Sequence, residues 1–292
     1  MQAPFPDKQS YLADPAVAAF SQRLSRWLGG EAIAAHPFRL RDKTLPEDAP
    51  REFTVTRLEE CFSHYHWNGL DYEENARARH ALRTALSSAL AAGDADALLA
   101  AVDAALRWST GGKGIKLYSL NAEWAEANRK ELPRLLGDAL AVLESDTPDV
   151  TAFNERLRMN VGFTKVYALA SDRLTMYDGR VGAALGLLAR QHCWRARIDL
   201  PEALGFPWAP GASSLNRNPS DERYHFRQLS NRGAFHAEWM IRASWLIRDA
   251  ASRCDAAWLA HADAADRVEA ALFMLGYEIP TDERRTPAFH YL

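Results

Sequence analysis

Cysteine is scarce in this chain of 292 residues. Cys61, Cys193 and Cys254 are odd in number and widely separated. That spacing suits neither a disulfide framework nor a zinc cluster, and it reads as reduced thiols. No apolar run approaches the roughly 18 residues that a membrane span needs, so no membrane role is expected. The opening Met1-Gln2-Ala3-Pro4-Phe5-Pro6-Asp7 lacks a basic start and an apolar core, and so does not read as a secretory signal. These absences set the expectation of a cytoplasmic protein. Internal repeats and low-complexity tracts are missing, and no segment alternates convincingly with period two. The glycine-rich Thr110-Gly111-Gly112-Lys113-Gly114 lacks the order of a P-loop and reads as a plain break, although Lys113 and Lys116 could reach a phosphate backbone. No cofactor and no metal are expected.

What is present is helical periodicity in an ordinary globular composition, 48% hydrophobic and 25% charged. Asp14-Pro15 opens a helix that should run to Trp27-Leu28 and stop at Gly29-Gly30. Residues 36–53, with Pro37, Pro46 and Pro50, read as a loop, and Thr54 or Thr56 opens a short helix through Leu58 and Phe62. Glu73–Ala92 and Asp94–Trp108 form a helical hairpin turned at Ala92-Gly93-Asp94. A helix from about Asn121 to Leu143 should bend or divide at Pro133. A short helix over Asp149–Met159 follows. Pro201–Ser220 reads as a long irregular connection, and helices over Ala234–Cys254 and Ala256–Leu275 complete the chain. The fold class is therefore all-α, a multi-helix globular protein. One N-terminal helical region (1–150) and one C-terminal region (151–292) are expected, or a single domain.

The net charge of −3 conceals an uneven distribution. Between Arg156 and Arg197, eight basic residues face only Asp172 and Asp178, and Ser213–Arg232 adds four arginines against Asp221 and Glu222. A basic middle in an acidic chain suggests an anionic ligand, with nucleic acid as one candidate. Arginines solvated on several helix faces are the plainer alternative.

The chemistry concentrates within this basic stretch. Asn160-Val161-Gly162-Phe163-Thr164-Lys165-Val166-Tyr167-Ala168 reads as a glycine turn opening a helix that carries a lysine. Tyr177-Asp178-Gly179-Arg180-Val181 reads as a second helix opening on an aspartate. Gly162 can adopt positive φ and allows close backbone approach, and N–H groups at the next helix start make an anion site. A nucleophilic lysine must be partly desolvated or lie near other cations, which Arg158, Arg173 and Arg180 could supply. Capping should keep Asp178 ionised, as a group that stabilises an oxocarbenium-like transition state must be. The plainer reading makes Lys165 a surface lysine and Asp178 only an N-cap.

These two segments resemble the signature of helix-hairpin-helix DNA glycosylases, the superfamily of 8-oxoguanine and adenine glycosylases. Its hairpin has the form Leu-Pro-Gly-Val-Gly-x-Lys-x-Ala, followed by Val-Asp-x-x-Val. Here Met159-Asn160 stands where Leu-Pro-Gly would come, and the interval from lysine to aspartate is shorter. The resemblance implies an all-α, helix-hairpin-helix glycosylase-like core. It also implies Lys165 as Schiff-base lysine, Asp178 as catalytic aspartate, and a damaged base extruded from double-stranded DNA. Gly162, with Thr164 beside it, would belong to the phosphate-holding hairpin. Arg158, Arg180 and Arg217 would add contacts to nucleic acid. Two alternatives stay open: a non-catalytic nucleic-acid-binding protein of a genome-maintenance or defence system, and a helical scaffold. Oligomeric state is open.

Outside this segment, Cys61, His64 and His66 read as aromatic packing in preference to a metal site, since no further ligand follows at suitable spacing. His236 reads as a satisfied core histidine. Trp124, Trp194 and Trp245 read as core.

Overall fold

The computed structural model describes residues 7–41, 45, 50–111, 116–211, 215–230 and 232–280. Helices dominate. They begin with α1 (Lys8–Ala13) and α2 (Pro15–Leu28). Asp14 Oδ1 accepts from the N–H groups of Ala16 and Val17, and Pro15 fills a first-turn position whose N–H would have no partner. The stretch expected as a loop instead carries a small antiparallel sheet, β1 (His36–Arg39) paired with β2 (Glu52–Val55). His36 lies opposite Val55 and Arg39 opposite Glu52. Four-residue strands are too short to register as alternation, and Pro37 is tolerated because a two-stranded sheet has only edges.

Then come α3 (Leu58–Ser63), α4 (Tyr72–Ala92) and α5 (Ala95–Ser109). Asp71 and Glu74 exchange the two bonds of a capping box at the start of α4. The helix ends at Gly93, whose φ of 64° is the left-handed conformation a side chain disfavours. Asp94 then caps α5, as the sequence indicates. α6 (Lys116–Ala127) and α7 (Leu132–Leu143) divide the helical stretch expected over 121–143, with a 3₁₀ turn at Arg129–Glu131 and Pro133, where a bend or division was expected, in the first turn of α7. α8 (Ala152–Glu155) is a single turn, shorter than expected. α9 (Phe163–Ala170), α10 (Gly179–Ala196), α11 (Gly233–Ser252) and α12 (Ala264–Leu275) follow. Residues 257–259 form a separate 3₁₀ turn, so the last helix starts later than its sequence pattern suggests.

The chain forms two compact units, each assembled from separate segments. The first comprises Met1–Tyr11, Leu70–Tyr177 and Ser230–Ser244. Its framework is the α4–α5 hairpin, against which α9 packs, while α6 and α7 lie along α5. Leu86, Leu98, Val102 and Leu106 of α4 and α5 are buried in its interior, as are Phe163, Val166 and Leu169 of α9. The second unit comprises Leu12–Gly69, Asp178–Leu229 and Trp245–Leu292. There α10 packs on α12 and α2, and α12 on α3. Val181, Leu185 and Leu188 are buried with Phe20, Leu24, Val268 and Leu272. Gly276 permits this packing: a Cβ there would overlap the carbonyl of Arg180, with the carbonyl carbon only 2.7 Å away.

Candidate functional site

In the first unit, Asn160 organises the start of α9. Its Oδ1 accepts from Gly162 N (2.9 Å) and Phe163 N (3.1 Å). The N–H groups of Thr164 and Lys165 go to the carbonyls of Asn160 and Gly162. The N–H groups expected to point at an anion are thus satisfied from within. The expectation of positive φ at Gly162 is also corrected: its φ is −76°. Glycine is needed there for space, because a Cβ would overlap Asn121 Nδ2 and press on Leu106. Asn121 in turn accepts from Asn160 Nδ2 (2.8 Å) and from both Nε and Nη2 of Arg158 (3.2 and 3.1 Å). The Arg158 guanidinium lies over the Trp124 ring at 5.9 Å.

α9 is buried along its whole first two turns. Thr164 is fully enclosed; its hydroxyl accepts from Tyr177 N (3.0 Å) and donates to Met240 Sδ (3.2 Å). Lys165 is 9% exposed, between neighbours that are themselves buried. A solvated surface lysine is therefore not what α9 carries. Tyr167 donates its hydroxyl to Arg158 O (2.7 Å), and burial pushes its phenol well above the ordinary range. His236 is buried with Nε2 2.8 Å from Tyr177 O, the satisfied core histidine that the sequence suggests.

In the second unit, Asp178 caps α10. It is 8% exposed, and its Oδ1 accepts from Arg180 N (2.9 Å) and Val181 N (3.2 Å). Two residues on, the Arg180 guanidinium stands among three rings, 4.0 Å from the centroid of Phe273, 4.7 Å from Tyr277 and 5.4 Å from Trp67. Burial pulls Arg180 down to about 10, the positive charge of Arg217 adds to that, and Asp178 opposes it. Arg217 is itself lowered by burial, with Asp178 opposing. Its Nε donates to Tyr277 O (3.3 Å), and Asn216 exchanges bonds with Ile279 beside it. The Tyr277 hydroxyl accepts from Arg41 N (2.8 Å). Asp178, Arg180 and Arg217 are thus gathered in one unit, whereas Gly162, Thr164, Lys165 and Arg158 belong to the other.

Sequence reasoning missed Trp67, Phe273 and Tyr277. Each stands in an ordinary aromatic context, and nothing in its spacing links it to Arg180. The Cys61–His66 segment packs as expected: the His64 ring lies tilted against Phe53 with centroids 4.0 Å apart, and burial pushes the Cys61 thiol up to about 12. Among the described residues, no group of three or more His, Cys, Asp or Glu side chains is placed to hold a metal ion, and no helix is long and apolar enough to cross a membrane. Trp245 is buried, while Trp124 and Trp194 are only half-buried. Lys113 lies outside the described residues, as does the side chain of Lys116. No protein-family model, no curated protein and no solved structure matches this chain.

Proposed function

We propose that this chain binds nucleic acid and acts on a base within it in the manner of helix-hairpin-helix DNA glycosylases, with Lys165 supplying the amine. The observation that carries this reading is the burial of Lys165. A nucleophilic lysine must be partly desolvated, and Lys165 is 9% exposed. The amine attacks C1′ of the deoxyribose, the C1′–N bond breaks and the base leaves with a proton from the amine; the sugar ring then opens at C1′–O4′, O4′ takes the remaining N–H proton, and an imine joins protein to sugar. Duplexes bearing abasic sites or lesions, treated with borohydride, should yield a covalent adduct in which the imine is reduced to an amine. Lys165→Met keeps most of the side-chain volume and should abolish the adduct. Absence of both adduct and base release across a lesion panel would sink the enzymatic reading.

A second reading, binding without cleavage, draws on Asp178. Its Oδ1 is committed to two backbone N–H groups, so a purely structural role accounts for its position. Salt-dependent duplex affinity that survives Lys165→Met and Asp178→Asn, with no adduct from the unaltered protein, would favour this alternative.

A further inference from the structure

Arg180 is an unusual cation. Ring stacking covers the faces of a guanidinium and leaves its in-plane N–H donors available. Among the described residues, no oxygen accepts a hydrogen bond from the Arg180 guanidinium, although Trp67, Phe273 and Tyr277 confine it. Arg180 is half-buried and its guanidinium nitrogens are not sealed from solvent, so an acceptor arriving from outside can reach them. Arg217 stands close enough for its charge to act on Arg180. One of its donors is anchored on Tyr277 O, and the terminal nitrogens remain for a ligand. Asp178 is the negative group acting on both arginines. Two positive charges against one leave a surplus of one.

We infer that Arg180 and Arg217, framed by Trp67, Phe273 and Tyr277, bind a single phosphodiester group. A diester carries one negative charge and so matches the surplus. A dianionic monoester would place its second charge against Asp178. Planar guanidinium forks also suit paired phosphate oxygens. The diester can come from a nucleic-acid backbone or from a free small molecule. The inference is independent of Lys165: a protein that binds a diester but gives no borohydride adduct would lose the catalytic reading and keep this one.

Calorimetric titration at low ionic strength tests it with four probes: dithymidine monophosphate, oligothymidylate, inorganic phosphate and acetate. The dinucleotide should bind more tightly than inorganic phosphate, and acetate least. Arg217→Gln and Arg180→Lys should each weaken dinucleotide binding about tenfold or more while leaving circular dichroism unchanged, because a lost charge-assisted pair costs that much. Oligothymidylate binding much more tightly than the dinucleotide assigns the site to a nucleic-acid backbone; equal affinities assign it to a free diester. Both outcomes support the site. Dinucleotide that fails to bind, acetate that binds equally well, or a folded Arg217→Gln protein with unchanged affinity would overturn it. Should Arg180→Lys not fold, Arg217→Gln decides.

Discussion

Asp178 and Gly162 were both marked by sequence, and they turn out differently. An aspartate two and three residues before available N–H groups is a local pattern, so the cap on α10 was readable from neighbours alone. Removing it with Asp178→Ala should cost about 1 kcal/mol in denaturant unfolding, and Asp178→Asn should restore most of that. Equal stability of the alanine variant and the parent would show that the cap contributes nothing. Gly162 is glycine because of Asn121, which lies 41 residues earlier in the sequence, and no local rule registers that neighbour. The enclosure of Lys165 is equally non-local. It arises because α9 packs on both α4 and α5, so every face of a short helix is covered.

Among elements, long helices with caps were legible, as were the short α3 and α9, while other short features were not. α2, α4 and α5 carry proline, glycine or aspartate punctuation at their ends, and their apolar spacing persists for several turns. The β1–β2 pair, the single turn of α8 and the break before α12 depend on tertiary partners and carry no such record. Two helical-region glycines provide a matched test of packing. Gly137 lies inside α7 with nothing within 4 Å of an added Cβ, so Gly137→Ala should stabilise the protein by about 0.4–1 kcal/mol. Gly276 ends α12 against the backbone of Arg180, and Gly276→Ala should destabilise by about 1–3 kcal/mol, since backbone cannot rotate aside. Thermal unfolding of the two variants should therefore move in opposite directions. A Gly276→Ala protein as stable as its parent would contradict the close crossing of α10 and α12.

At the scale of the whole molecule, two histidines, His36 and His192, carry the largest shifts that bear on the acid response, and burial lowers His64 in the same direction. Burial is the main cause that lowers His36 and His192 from 6.5 to about 4, with help from Arg190 at His36 and from Arg23 and Arg26 at His192. Both are held neutral in the folded chain, whereas the unfolded chain takes up protons near 6.5. Their stabilising contribution is therefore complete above that pH and is lost as the pH falls from 6.5 towards 4. Each contributes at most about 3 kcal/mol. Urea midpoints measured from pH 7 to pH 4 should fall, and His36→Gln combined with His192→Gln should flatten the slope. An unchanged slope in the double variant would place the acid sensitivity elsewhere. What sequence could not convey at this scale is assembly. The rings around Arg180 come from positions 67, 273 and 277, and each compact unit draws on three separate stretches. That interleaving bears on how the protein is made. The first unit draws on Ser230–Ser244 and the second on residues after Trp245, so neither is whole before the chain beyond Ser230 has been synthesised. At about 5–20 residues per second, α4, α5 and α9 wait several seconds for their last partners. A nascent chain arrested before Ser230 should thus present both interiors to chaperones, and premature stop codons anywhere upstream should leave no independently folded fragment.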